Sequence, residues 1–128
     1  MGHRLLIVDD EEAIVLTMKE YFETFGHQVD VARGREEAEA FLAGPAYALM
    51  IADLRLHPVR DAEGLDLLAL VRERFPATRV VLFTGYATPE VVSEARRLGA
   101  DAFLQKPQAL TDVARVVFGL LASPAGGP

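Results

Sequence analysis

The chain has 128 residues, enough for one domain and short for two. Hydrophobic residues make up 51% and charged residues 25%, and there is no cysteine; this argues against disorder and excludes a disulfide framework, a thiolate metal site and a cysteine nucleophile. Nineteen acids against thirteen bases leave a formal charge of −6, which supplies no basic footprint for direct nucleic-acid binding.

The apolar pattern changes period along the chain. Residues 5–8, Leu-Leu-Ile-Val, form a short continuous apolar run ending in acids, as expected of a strand buried on both faces. Ile14, Met18, Tyr21, Phe22 and Phe25 then follow a helical stripe, with Gly26 as its stop. Residues 29–32 read as a second strand, 35–42 as a short helix closed by Gly44-Pro45, and 47–52 as a third buried strand ending at Asp53. A polar stretch holding Pro58 and Gly64 leads into a helix over 65–75, stopped by Pro76. A fourth strand covers 80–83 and ends at Thr84-Gly85. A helix over 89–98 has Pro at its start and Gly99 just past its end. A fifth, shorter strand over 102–105 ends at Lys106-Pro107, and Val113, Val116, Val117, Leu120 and Leu121 mark a last helix. Residues 123–128 form a Pro/Gly/Ala tail, read as a flexible end or the start of a linker.

Five alternations of strand and helix predict an α/β fold: a doubly wound, five-stranded parallel sheet with helices on both faces. No apolar run approaches the ~18 residues of a membrane span. The run at 5–8 is too short for a signal-peptide core and meets Asp9-Asp10-Glu11-Glu12 at once, so a soluble cytoplasmic protein is expected.

In open sheets of this kind ligands bind outside the carboxyl ends of the strands. Asp9 and Asp10 follow strand one, Asp53 strand three, Thr84 strand four and Lys106 strand five. Carboxylates gathered there repel one another unless a cation joins them. Mg²⁺ suits them, since it takes oxygen ligands and is commonly held by one or two carboxylates plus a phosphate. A hydroxyl and an ammonium remain to contact phosphate oxygens. Together these are the parts of a carboxylate nucleophile for phosphoryl transfer. Eleven of the thirteen basic residues are Arg, so a Lys at 106 carries information: a compact ammonium reaches where a planar guanidinium does not fit.

Four segments in order, Val8-Asp9-Asp10-Glu11, Asp53-Leu54, Thr84-Gly85-Tyr86-Ala87 and the run from Gly99 to Pro107, resemble the receiver domain of two-component response regulators. The resemblance covers about residues 4–121. It implies a flavodoxin-like strand order 2-1-3-4-5 and a receiver domain over 1–122. It implies Asp53 as phosphoacceptor, with Asp10 binding Mg²⁺ directly, Asp9 mostly through water, and the Arg55 backbone carbonyl as a further ligand. Thr84 and Lys106 would contact the phosphoryl oxygens. Phe103 would be the aromatic switch that turns inward as Thr84 moves, and the Lys106–Pro107 peptide is often cis in the family. The donor would be a histidine kinase or phosphotransfer protein. The output would pass through the helix 4–strand 5–helix 5 face, with Arg96, Arg97, Asp101 and Arg115 as candidate contacts, to a protein partner or an output domain. A phosphorylation-dependent homodimer is left open.

The chain departs from the family between Asp53 and Gly64. Pro58 stands five residues and Gly64 eleven residues after Asp53, where the family usually has four and eight, so this loop carries about three extra residues. Arg55 and Tyr86 occupy positions that tune phosphoryl lifetime in the family. Neither offers a carboxylate or amide to position water, so slow hydrolysis is expected.

Plainer readings stand beside these. Asp9 to Glu12 suit the first turn of a helix. Asp53 and Thr84 suit strand-end turns or caps, and Phe103 suits plain core. His3 and His27 read as surface, and His57 as a loop residue without a partner. Two other functions also compete: a receiver-like interaction module that works without phosphorylation, and an aspartyl-nucleophile phosphohydrolase. Intact acids, Thr84 and Lys106 oppose the first. Arg at position 55 and the lack of room for a substrate cap oppose the second, so no enzyme beyond self-phosphorylation and dephosphorylation is expected.

Overall fold

The computed structural model describes residues 2–54, 63–85 and 87–123. Its elements run β1 (Arg4–Val8), α1 (Glu12–Glu23), β2 (Gln28–Ala32), α2 (Arg35–Leu42), β3 (Leu49–Ala52), α3 (Glu63–Arg74), β4 (Arg79–Thr84), α4 (Pro89–Arg97), β5 (Ala102–Gln105) and α5 (Leu110–Ala122). The five strands form one parallel sheet in the order β2-β1-β3-β4-β5, as the resemblance implies.

The continuous apolar strands are explained by the two faces they serve. Side chains alternate along a strand. Leu6, Val8, Met50, Ala52, Val80 and Leu82 pack on one face with Leu42 of α2, Leu67, Leu68 and Val71 of α3, and Ala95 of α4. Leu5, Ile7, Leu49, Ile51, Val81 and Phe83 pack on the other with Val15, Met18 and Phe22 of α1 and Val113, Ala114 and Val117 of α5. The central strands β1 and β3 are thus sealed on both sides, which a parallel sheet requires.

Two expectations are corrected. Phe25 does not close the α1 stripe: the helix ends at Glu23, the Thr24 hydroxyl donates to the Tyr21 carbonyl, and Phe25 lies half exposed in the turn before Gly26 (φ +87°). His27 is half-buried rather than on the surface. Its Nδ1 accepts the His3 backbone N–H at 3.0 Å and its ring meets Phe118. The α4 ends follow their signals. Thr88 caps the start by accepting the Val91 N–H, with Pro89 in the first turn. At the other end Gly99 (φ +99°) allows its own N–H to reach Arg96 and the Ala100 N–H to reach Ala95.

Candidate functional site

Parallel register builds the rim. Val8 of β1 stands opposite Ala52 of β3, so the next residues, Asp9 and Asp53, leave the sheet side by side. The backbone continues the ladder for one more step: the Asp53 N–H donates to the Val8 carbonyl and the Asp9 N–H to the Ala32 carbonyl, both at 3.0 Å. On the other side Thr84 pairs with Gln105, and the Lys106 N–H donates to the Thr84 carbonyl at 2.8 Å. Residues 97 and 53 positions apart in sequence therefore meet: Lys106 Nζ lies 2.8 Å from Asp9 Oδ2 and 2.9 Å from Asp53 Oδ2. The Lys106–Pro107 peptide is cis.

Asp9, Asp53 and Thr84 are buried. Burial pushes the Asp9 carboxyl above the ordinary carboxylate value, against the pull of Lys106 and of the Glu11 N–H. Burial pulls the Lys106 ammonium down, but its bonds to Asp9, Glu11 and Asp53 outweigh this and hold it above the ordinary lysine range. Lys106 is thus held between two buried carboxyl groups. A groove of about 790 Å³ between α1 and α5, lined in part by Ile14, Met18, Phe83, Leu110 and Val113, opens onto Asp53, Thr84 and Lys106.

The third carboxylate at this point is Glu11. Asp9, Glu11 and Asp53 each place an oxygen within 4.8 Å of the others, and Glu11 Oε1 lies 2.7 Å from Lys106 Nζ. Asp10, for which the resemblance implies direct metal contact, is exposed and stands outside this group. The local reason is that α1 begins only at Glu12. Glu11 keeps an extended backbone (φ −83°, ψ 102°) as its cap residue, and its N–H donates to Asp9 Oδ1 at 2.9 Å. Of the four consecutive acids, only Glu12 serves as an acid in the helix's first turn. The sequence offers Glu11 only as part of the motif and as a first-turn acid, whereas it stands one residue before the helix. The signal that could have found it is its i+2 spacing from Asp9 in a non-helical stretch, which favours a shared side. The carboxylate oxygens of Asp9 and Asp53 are donors of the kind a hard divalent cation takes.

Arg55, His57 and Tyr86 lie outside the described residues. Phe103 is partly buried; it packs against the core on the α4 side and lines a surface cavity of about 520 Å³ with Thr88, Pro89, Val92 and Arg96. Among the candidate output contacts, Asp101 is engaged internally: its Oδ2 accepts the Val80 N–H at 2.7 Å. Arg97 pairs with Glu94 on its own helix, and Arg115 lies 3.8 Å from Asp112. No helix among the described residues is long and apolar enough to cross a membrane.

A family model of the response regulator receiver domain matches residues 5–118. The photosynthetic apparatus regulatory protein RegA of Cereibacter sphaeroides is 36% identical over 120 residues, which is 92% of this chain and 61% of that protein. The alginate biosynthesis transcriptional regulatory protein AlgB of Pseudomonas aeruginosa is 38% identical over 104 residues, 81% of this chain and 22% of that protein. The chain therefore spans between about a fifth and three fifths of the length of these curated relatives. Among solved structures, a CheY-like receiver domain protein from Methanospirillum hungatei superposes with a TM-score of 0.88 at 30% identity, covering 94% of each chain. The non-phosphorylated HemR receiver domain from Leptospira biflexa superposes with a TM-score of 0.89 at 27% identity, covering 99% of this chain and all of that one (100%). With its strand order, its buried acids at the ends of β1 and β3 and its lysine after β5, the chain belongs to the response regulator receiver domain family.

Proposed function

We propose that this chain is a phosphorylation-activated receiver in which Asp53 accepts a phosphoryl group from the phosphohistidine of a histidine kinase or phosphotransfer protein. The observation that carries this reading is the Lys106 ammonium held between the Asp9 and Asp53 carboxylates at the rim of the sheet.

In the transfer an Asp53 carboxylate oxygen forms a bond to phosphorus. The P–N bond breaks with its electron pair going to the donor imidazole, which takes up a proton. The Lys106 ammonium and the Thr84 hydroxyl then hold the phosphoryl oxygens, one as counter-charge and one as donor. Asp10, with Asp53 and the Arg55 carbonyl, would hold Mg²⁺ directly, and Asp9 mostly through water. When bound, this ion supplies charge neutralisation for the transferring group. A new anion held by Thr84 and Lys106 biases an existing equilibrium, and Phe103, on the α4 side of β5, reports it to the α4–β5–α5 face. A partner protein, or an output domain of the kind that the greater length of the relatives leaves room for, reads that face. Arg55 and Tyr86 give no water-positioning group, which supports a phosphoryl lifetime of minutes rather than seconds. Residues 1–122 carry the receiver, acting in the cytoplasm, and 123–128 begin a tail.

The test is incubation with acetyl phosphate, with and without Mg²⁺, read by intact mass. The expected result is one added phosphoryl group that needs Mg²⁺ and is absent from Asp53→Ala. No addition to the parent chain would favour a module that works without phosphorylation, and turnover of varied phosphate esters would favour a phosphohydrolase.

A further inference from the structure

Glu11 has no part in the receiver reading, on which this inference rests. We propose that Glu11 is a positioning residue, a stand-in anion that holds the Lys106 ammonium in the unphosphorylated protein until phosphoryl oxygens on Asp53 take its place.

An ammonium has three N–H bonds. Around Lys106 three carboxylate oxygens account for them: Asp9 Oδ2 at 2.8 Å, Glu11 Oε1 at 2.7 Å and Asp53 Oδ2 at 2.9 Å. A phosphoryl oxygen can be received only if one of these lets go. The three are not equivalent. The Asp9 and Asp53 side chains are 3% and 9% exposed, whereas that of Glu11 is 57% exposed. Once phosphorylated, Asp53 keeps only a carbonyl oxygen as an acceptor beside the lysine; stripping the buried Asp9 carboxylate of its cation is costly, while an exposed carboxylate exchanges its partner for water at little cost. Glu11 is therefore the partner that Lys106 can release. Its backbone does not move away with it, because the Glu11 N–H is held by Asp9 Oδ1 at 2.9 Å. The carboxylate stays near the site as a competitor for the lysine and as a negative charge facing any dianionic donor.

The test uses the whole chain and beryllium fluoride, a stable stand-in for the phosphoryl group, with Mg²⁺. Parent, Glu11→Gln and Asp53→Asn proteins are titrated while ¹⁹F signals report the bound group. Mg²⁺ affinity is measured separately without fluoride. The ¹H–¹⁵N signal of the Lys106 ammonium reports how tightly its protons are held. Glu11→Gln is expected to take up beryllium fluoride at about two- to fivefold lower concentration, the scale of one exposed ion pair. Its Mg²⁺ affinity should stay within about twofold of the parent, a change smaller than that pair is worth. Its Lys106 ammonium signal should broaden in the free protein and sharpen in the bound one. Weaker binding of both Mg²⁺ and beryllium fluoride would overturn the proposal and make Glu11 a cation ligand; no change in either would make it a bystander. If the parent itself binds no beryllium fluoride, or Asp53→Asn binds it equally well, the receiver reading fails instead.

Discussion

Lys106 ties together the two buried acids at the rim of the sheet. Its ammonium is bonded to both of the buried Asp9 and Asp53 carboxylates. Removing one partner from such a buried set costs about 3–5 kcal/mol, because the charges left behind stay desolvated. Lys106→Met should therefore lose stability of that order in chelator, read from the unfolding midpoint in denaturant. Added Mg²⁺ should restore more stability to Lys106→Met than to the parent, since a divalent cation replaces the missing charge. An unchanged midpoint in chelator would mean that the acids are not held by this lysine. The importance of Lys106 was legible from its position after the fifth strand and from the scarcity of Lys. That Glu11 is the acid of the run bonded to Lys106 beside Asp9 was not, because which of four consecutive acids faces the lysine depends on where the helix starts.

At the scale of elements, α3 meets the end of β3, where Asp53 stands, through a glycine. A Cβ on Gly64 would lie 2.5 Å from the Asp53 carbonyl oxygen and 2.5 Å from Leu54 Cα. Both are backbone atoms, which cannot swing aside. Gly64 also donates its N–H to the Leu54 carbonyl at 3.0 Å. Gly64→Ala should cost about 1–3 kcal/mol by overpacking and slow phosphorylation of Asp53 by displacing its backbone. Gly85→Ala, where a Cβ meets nothing within 4 Å, is the control and should leave the urea midpoint nearly unchanged. Equal midpoints for the two variants would refute the close approach. The order and type of all ten elements followed from hydrophobic period and from Pro and Gly signals. Some ends did not: α3 starts at Glu63, two residues before the apolar pattern, and β3 starts at Leu49 although Tyr47 is already buried. Burial is a property of the packed face, so it does not stop where strand pairing stops.

The whole sheet has an uneven stability built into its strand order. β1 and β3 are paired on both sides and sealed by helices on both faces, while β5 is an edge strand with half-buried apolar residues, and α4 beside it buries only Ala95. Amides of β1, β3 and β4 should exchange hydrogen only through global unfolding, and those of β5 and α4 earlier, through local opening. Beryllium fluoride with Mg²⁺ should slow exchange in β5 and α4 more than in β1. Equal protection of β5 and β1 in the free protein would count against an edge poised to shift. The sequence by itself determined the alternation of elements, the two-faced burial of the strands and the chemistry waiting at each strand end, because these depend on local period and residue type. The tertiary structure alone decided which of those groups converge, how deeply each is buried and which acids share the lysine. Those outcomes depend on register between strands and on the direction of the chain as it leaves the sheet, which bring Lys106 to Asp9 across 97 positions of sequence.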